Sequence, residues 1–187
     1  MKMDGAPEVE RLFLALPLPA AARAALARLA EPINGVVWGP PGQLHLTLRF
    51  LGDVDAATRT TIEERLAAVR VEPFLLPLTW TGAFPPQGTP RTVWVGTGAG
   101  HPRLFQLRQR LDDALLAAGL ALDVRTFIPH VTLARCRPEA AGIAAWLRRH
   151  RDLEGPPVRV DCFELCASEL LPAGAVHTVK RRFPLAN

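Results

Sequence analysis

No apolar run in this 187-residue chain approaches the ~18 residues that a bilayer-spanning helix requires, so a helical membrane protein is excluded. Cysteine is scarce: Cys136, Cys162 and Cys166 are the full set, and an odd, small number argues against a disulfide framework. Cys162 and Cys166 lie among apolar residues (Val160, Phe163, Leu165) with no second pair to complete a metal site, so buried structural thiols are expected. Lysine is scarcer still, Lys2 and Lys180 among 22 basic residues. The excess of arginine suits bidentate phosphate contacts, although the many alanines and prolines point equally to genome composition. There is no run of five like charges, hence no polybasic tail, and the net charge of +4 permits an anionic partner without requiring one. Glycine-rich phosphate loops of the Walker or GxGxxG kind are missing, as are an HxxxH zinc pattern and a Gly-x-Ser-x-Gly elbow around Ser168. Residues 1–10 carry Asp4, Glu8 and Glu10 and lack the basic-then-apolar order of a secretory signal, so a cytoplasmic location is expected. The 49% hydrophobic and 21% charged fractions are those of a globular chain able to bury a core, of a length suited to one domain, residues 1–187, with two lobes.

Two short stretches read almost alike: Leu44-His45-Leu46-Thr47-Leu48 and Pro129-His130-Val131-Thr132-Leu133. Side chains alternate faces along a strand, so His45 and Thr47 share one face with Leu46 and Leu48 behind, and His130 and Thr132 repeat the arrangement. A four-residue pattern seen once is weak; seen twice in matched settings it carries weight. Two strands with apolar backs and His/Thr fronts suit a sheet that packs on a core and opens onto a polar cleft.

The hydrophobic pattern places strands at 11–18, 43–50, 73–80, 91–96, 128–136, 158–167 and 176–184, and helices at 20–30, 56–70, 104–118 and 140–149. Gly52-Asp53 is expected to close the first His/Thr strand and Asp55 to cap the helix after it. Residues 82–88 read as a hairpin connection or a cleft lip. The motif histidines lie 85 positions apart, and each motif is followed by a helix and two strands. This coarse duplication implies an α+β fold: two pseudo-symmetric lobes, each an antiparallel sheet with helices on its outer face, around a central cleft.

Two imidazoles and two hydroxyls around one cleft fit displacement at a phosphodiester. One imidazole deprotonates the nucleophile and the other protonates the leaving oxygen, because an ordinary pKa of ~6.5 suits both tasks. Threonine hydroxyls can donate to the non-bridging oxygens. No metal or cofactor is called for by this set. Arg49 shares the His45 face if the strand stays regular, and so is a candidate substrate contact. Arg135 falls on the opposite face by the same count, unless a bulge re-aims it. Arg125 and Phe127 are candidates for phosphate grip and base stacking at the cleft mouth. His101, His150 and His177 read as a helix start, a solvated helix end and an alternating strand residue.

At these residues the chain resembles the 2H phosphoesterase superfamily, specifically the RNA 2′,3′-cyclic phosphodiesterases also called 2′-5′ RNA ligases. Residues 11–16 are similar to the opening strand of that family, residues 44–52 to its first signature and residues 127–135 to its second. The resemblance implies a bilobal α+β fold and hydrolysis of a terminal 2′,3′-cyclic phosphate on RNA to a 2′-phosphomonoester. It makes His45 the proton donor to the leaving 3′-oxygen, His130 the acceptor that activates water, and Thr47 and Thr132 the phosphate holders. It also implies weak joining of 2′-5′ RNA ends. The partners it implies are RNA ends or nucleotides bearing the cyclic phosphate, with no membrane and the chain acting as a monomer. One departure is visible: His177 stands where the family often has tyrosine, and this chain has no tyrosine. Two other readings stay open, an RNA-end or nucleotide-binding module without turnover, and an esterase for a small cyclic phosphate.

Overall fold

The computed structural model describes residues 9–171 and 174–186; the acidic start holding Asp4 and Glu8 lies outside the described residues. The chain order is β1 (Val9–Pro17), α1 (Ala20–Ala27), β2 (Val36–Trp38), β3 (His45–Asp55), α2 (Ala56–Ala67), β4 (Phe74–Leu76), β5 (Thr79–Phe84), β6 (Thr92–Gly96), α3 (Pro102–Ala117), β7 (His130–Cys136), α4 (Ile143–His150), β8 (Val158–Val160), β9 (Cys162–Leu171) and β10 (Gly174–Pro184). Eight strands form one antiparallel sheet in the order β10-β9-β1-β3-β7-β6-β5, with β2 also on β7. Strands β4 and β8 pair separately.

The sheet is two four-stranded halves. One holds β1, β3, β9 and β10, the other β2, β5, β6 and β7, and β3 meets β7 through the pair Leu46↔Val131. The halves are not consecutive stretches of chain, since the C-terminal hairpin returns to sit beside β1. The expected α+β architecture is therefore present, with both motif strands at the centre of the sheet.

Burial explains why the strands sit this way. Leu12, Leu14, Leu16, Leu46, Leu48, Val93, Val95, Val131 and Leu133 point to one side, where they join Leu26 of α1, Ile62 and Leu66 of α2, four leucines of α3 and Trp146 of α4 in one core. Burying this apolar side is the main driving force for the fold. On the opposite side Phe13, Ala15 and Cys166 make only a small cluster, which leaves that side open for a cleft. Asp55 caps α2 as expected, accepting hydrogen bonds from the Thr58 amide and hydroxyl at 2.9 Å each.

Several boundaries differ from expectation for identifiable reasons. Gly52-Asp53 does not end β3: Gly52 takes φ 77°, a bulge forms beside it, and the strand continues to Asp55. The strand expected at 73–80 divides around Pro77, which has no amide hydrogen for a ladder; β4 leaves for β8 and β5 joins the main sheet. The segment expected at 158–167 divides in the same way into β8 and β9. Strand β5 runs through Gly82 to Phe84 because Gly82 faces Trp94 across the pair, and a β-carbon there would come within 2.3 Å of the indole. The short strand β2 falls where the sequence suggested only a turn after Trp38.

Candidate active site

Both motif strands carry a bulge at the same place. In β3, Thr47 pairs with Ala15 and Arg49 with Leu14, so Leu48 is skipped; in β7, Thr132 pairs with Trp94 and Ala134 with Val93, so Leu133 is skipped. A skipped residue turns its successor to the face it already occupies. Leu48 and Arg49 both face the core side, as do Leu133 and Ala134, and the open face reads His45, Thr47, Phe50 on one strand and His130, Thr132, Arg135 on the other. The carbonyls freed by the bulges are taken up from outside the ladder: Arg108 Nη1 donates to Leu48 O at 2.6 Å and the Gly39 amide to Leu133 O at 2.8 Å.

This changes two expectations. Arg49 does not share the His45 face. It is 8% exposed, and its guanidinium is spent on Asp112 (2.9 and 2.5 Å) and on the Asp123 carbonyl (2.9 Å) and carboxylate (3.1 Å). The pairs tie β3 to α3 and to the segment before the second motif. Arg135, by contrast, is re-aimed onto the His130 face and rests one N–H on the Thr92 hydroxyl at 3.0 Å.

The two imidazoles are held alike. His45 Nδ1–H donates to Gln43 O and His130 Nδ1–H to Ile128 O, each at 2.7 Å. Each bond fixes the ring and leaves Nε2 as the atom that gains or loses a proton. His45 Nε2 accepts from the Thr47 hydroxyl at 3.1 Å. An aromatic ring stands edge-on to each: Phe84 to His130 (centroids 5.0 Å, 78°) and His177 to His45 (5.1 Å, 80°). Burial pushes both motif imidazoles below the ordinary histidine range, and the bonds to the carbonyls partly oppose it. His130 and His177 add repulsion at His45, and Arg135 adds it at His130.

Beside the pair a cavity of about 400 Å³ is lined by Thr47, Phe50, Phe84, Arg125, Phe127 and His130 among others. Phe127 lies under the Arg108 guanidinium at 4.7 Å, while Arg125 is exposed and paired with Asp123. Sequence reasoning missed Phe50, which the bulge brings to the front; Phe84 lies in the segment read as a hairpin connection or a cleft lip, and His177, noted only where the family often has tyrosine, reaches the site from β10. Cys162 and Cys166 are buried as expected, their thiols pushed up to about 11 and about 12, chiefly by burial. Among the described residues no three His, Cys, Asp or Glu side chains converge as a ligand set, and no helix is long and apolar enough to cross a membrane.

Paired His/Thr strands at the centre of the sheet thus bring His45, Thr47, His130 and Thr132 to one open face as the candidate active site. The chain belongs to the 2′-5′ RNA ligase superfamily, whose family model matches residues 16–169. A Thermus thermophilus protein named RNA 2′,3′-cyclic phosphodiesterase is 38% identical over 94% of this chain and 90% of its own length. An Aeropyrum pernix protein of the same name is 37% identical over 71% of this chain and 77% of its own. The crystal structure of E. coli LigT complexed with 3′-AMP superposes with a TM-score of 0.79 at 28% identity, covering 96% of this chain and all of that one.

The Arg49 network makes a testable demand. Arg49→Met is expected to lower unfolding free energy by about 2–3 kcal/mol in urea titration. That is less than the roughly 3–5 kcal/mol of a fully orphaned buried charge, because Arg108 still holds Asp112 at 3.1 Å and Asp123 is half exposed. A change within about 0.5 kcal/mol, the range of ordinary surface substitutions, would deny Arg49 that structural role.

Proposed function

We propose that His45 and His130 hydrolyse the terminal 2′,3′-cyclic phosphate of RNA to a 2′-phosphomonoester, the first as proton donor and the second as proton acceptor. The chain is an enzyme of the kind its relatives are named for, an RNA 2′,3′-cyclic phosphodiesterase. The observation that carries the mechanism is the matched anchoring of two imidazoles, each by Nδ1–H to a carbonyl two residues back, on adjacent central strands.

Water attacks phosphorus as His130 Nε2 takes its proton. The bond to the 3′-oxygen breaks as His45 Nε2–H supplies a proton to it, and the phosphate stays on the 2′-oxygen. His130 ends protonated and His45 neutral, and exchange with solvent resets both. Thr47 and Thr132 hydroxyls donate to the non-bridging oxygens, and the Arg135 guanidinium faces the same charge from the His130 strand. The Thr47 hydroxyl that caps His45 Nε2 at 3.1 Å turns to the substrate when the phosphate binds, freeing that nitrogen for its proton. The aromatic cavity takes the terminal nucleoside, its base against Phe127 and neighbouring rings with Arg125 at the mouth. Arg49 acts at one remove, as a positioning residue that holds β3 against α3. A 5′-hydroxyl in place of water gives weak 2′-5′ joining by the same steps.

A binding module without turnover has no use for a proton acceptor anchored as His130 is. Replacing either imidazole tests this: His45→Ala and His130→Ala are each expected to lower kcat on a cyclic-phosphate RNA end by about 10²–10⁴, with the thermal unfolding midpoint retained. Either variant keeping full activity contradicts the two-imidazole mechanism.

The depressed imidazoles set the pH dependence. The acceptor works above its pKa and the donor below its own, so kcat/KM is bell-shaped. Because burial lowers both in the free enzyme, both limbs fall below the ordinary ~6.5 of imidazole. Bound phosphate favours the protonated donor, so the alkaline limb of kcat lies above that of kcat/KM. A kcat/KM profile flat from about pH 5 to 8 contradicts this reading.

A further inference from the structure

The cleft continues past the His/Thr pairs on the side away from the aromatic cavity. There a second cavity of about 470 Å³ is lined by Arg11, Trp38, Gln43, Thr132, Arg135 and His177, among others. It opens on the reaction centre directly. Thr132 belongs to the motif, Gln43 O holds the His45 ring, the Gln43 side chain accepts the His177 amide at 3.2 Å, and the His177 ring stands against His45.

Its charge differs from that of the aromatic cavity. The aromatic cavity contains Asp123, which Arg49 and Arg125 already engage. The ionisable residues lining the second cavity are Arg11, Arg135 and His177, with no carboxylate among them. Arg11 is exposed on β1, and among the described residues no carboxylate, its register partner Asp53 included, comes within the 4.0 Å of an ion pair. The adjoining wall is formed by β2, where Val37 pairs with Arg135 and shares its open face, while Trp38 pairs with Ala134, turns to the core side and packs on Trp146 at 5.3 Å. A guanidinium with no carboxylate partner among the described residues, in a cavity whose other ionisable residues are Arg135 and His177, suits the phosphate backbone of a single-stranded nucleic acid.

We propose that this second arm holds the RNA strand leading to the reactive end, with Arg11 on a backbone phosphate. The assignment rests on the activity proposed above, with the terminal nucleoside in the aromatic arm. It makes the enzyme a reader of polymer ends rather than of mononucleotides. Because the contact is to a phosphate, the preference extends to any sequence.

The test compares wild type, Arg11→Ala and Arg11→Lys in equilibrium binding of an unreactive single-stranded oligoribonucleotide ending in a 3′-phosphate and of a nucleoside 3′-phosphate, across a salt series. Arg11→Ala is expected to lower the ratio of oligomer to mononucleotide affinity about tenfold and to flatten the oligomer's log K against log salt slope by about 0.7, the single-strand value for one phosphate. Arg11→Lys restores the slope, which a merely structural role for Arg11 would not require. An unchanged ratio and slope overturns the proposal, and so does an equal loss for both ligands, which would put the terminal nucleoside in this arm. Turnover of an oligoribonucleotide ending in a 2′,3′-cyclic phosphate by wild type is measured alongside. Its absence contradicts the catalytic reading, while the salt slopes still decide the arm.

Discussion

One backbone pairing governs the site. Leu46 against Val131 joins the two halves of the sheet, and it does so between the histidine and the threonine of each motif. Antiparallel partners share a face, so these two apolar side chains are buried together. The flanking residues, His45 and Thr47 on one strand and His130 and Thr132 on the other, are thereby turned to the opposite side. Slipping the register by one residue would send the imidazoles into the core and bring leucines to the cleft. The fully buried Leu46 and Val131 are what make such a slip costly, so the apolar half of each motif specifies the position of its polar half.

The bulges after Leu48 and Leu133 complete the arrangement. Without them Arg49 would enter the cleft, and Phe50 and Arg135 would leave it. With them the front of one lobe ends in an aromatic residue and the front of the other in a guanidinium. The pseudo-symmetric frame thus supports two unlike arms, an aromatic cavity beside Thr47 and His130 and a cationic one beside Thr132 and His177. Burial serves the proposed chemistry as well. It favours the neutral form of both imidazoles, which a bound phosphate would oppose at the donor.

Much of this was legible from residue order. The alternation of His-Leu-Thr-Leu and His-Val-Thr-Leu gives the strands and their faces, the leucine spacing gives α3, and Asp55 marks the start of α2. The motif pair pointed to the family, and residues 16–169 match its model. What was not legible depended on partners distant in sequence. A bulge is decided by the neighbouring strand, so counting along β3 put Arg49 on the wrong face. The leucine followed by alanine in β7, two apolar residues in succession, was the one local hint. His177 reaches His45 across β1 and β9, more than a hundred positions away, and nothing around it announces that contact.

The central claim is that the two rings divide one task, donor and acceptor on opposite sides of a single phosphorus. It is tested most directly with a cyclic substrate whose 3′-oxygen is replaced by sulfur. A thiolate, from a thiol of pKa about 8.5, leaves without a proton. On that substrate His45→Ala should regain most of the turnover it lacks on the oxygen substrate, whereas His130→Ala should stay inactive, since water still needs its base. Equal inactivity of both variants, or rescue of His130→Ala instead, would contradict the assignment.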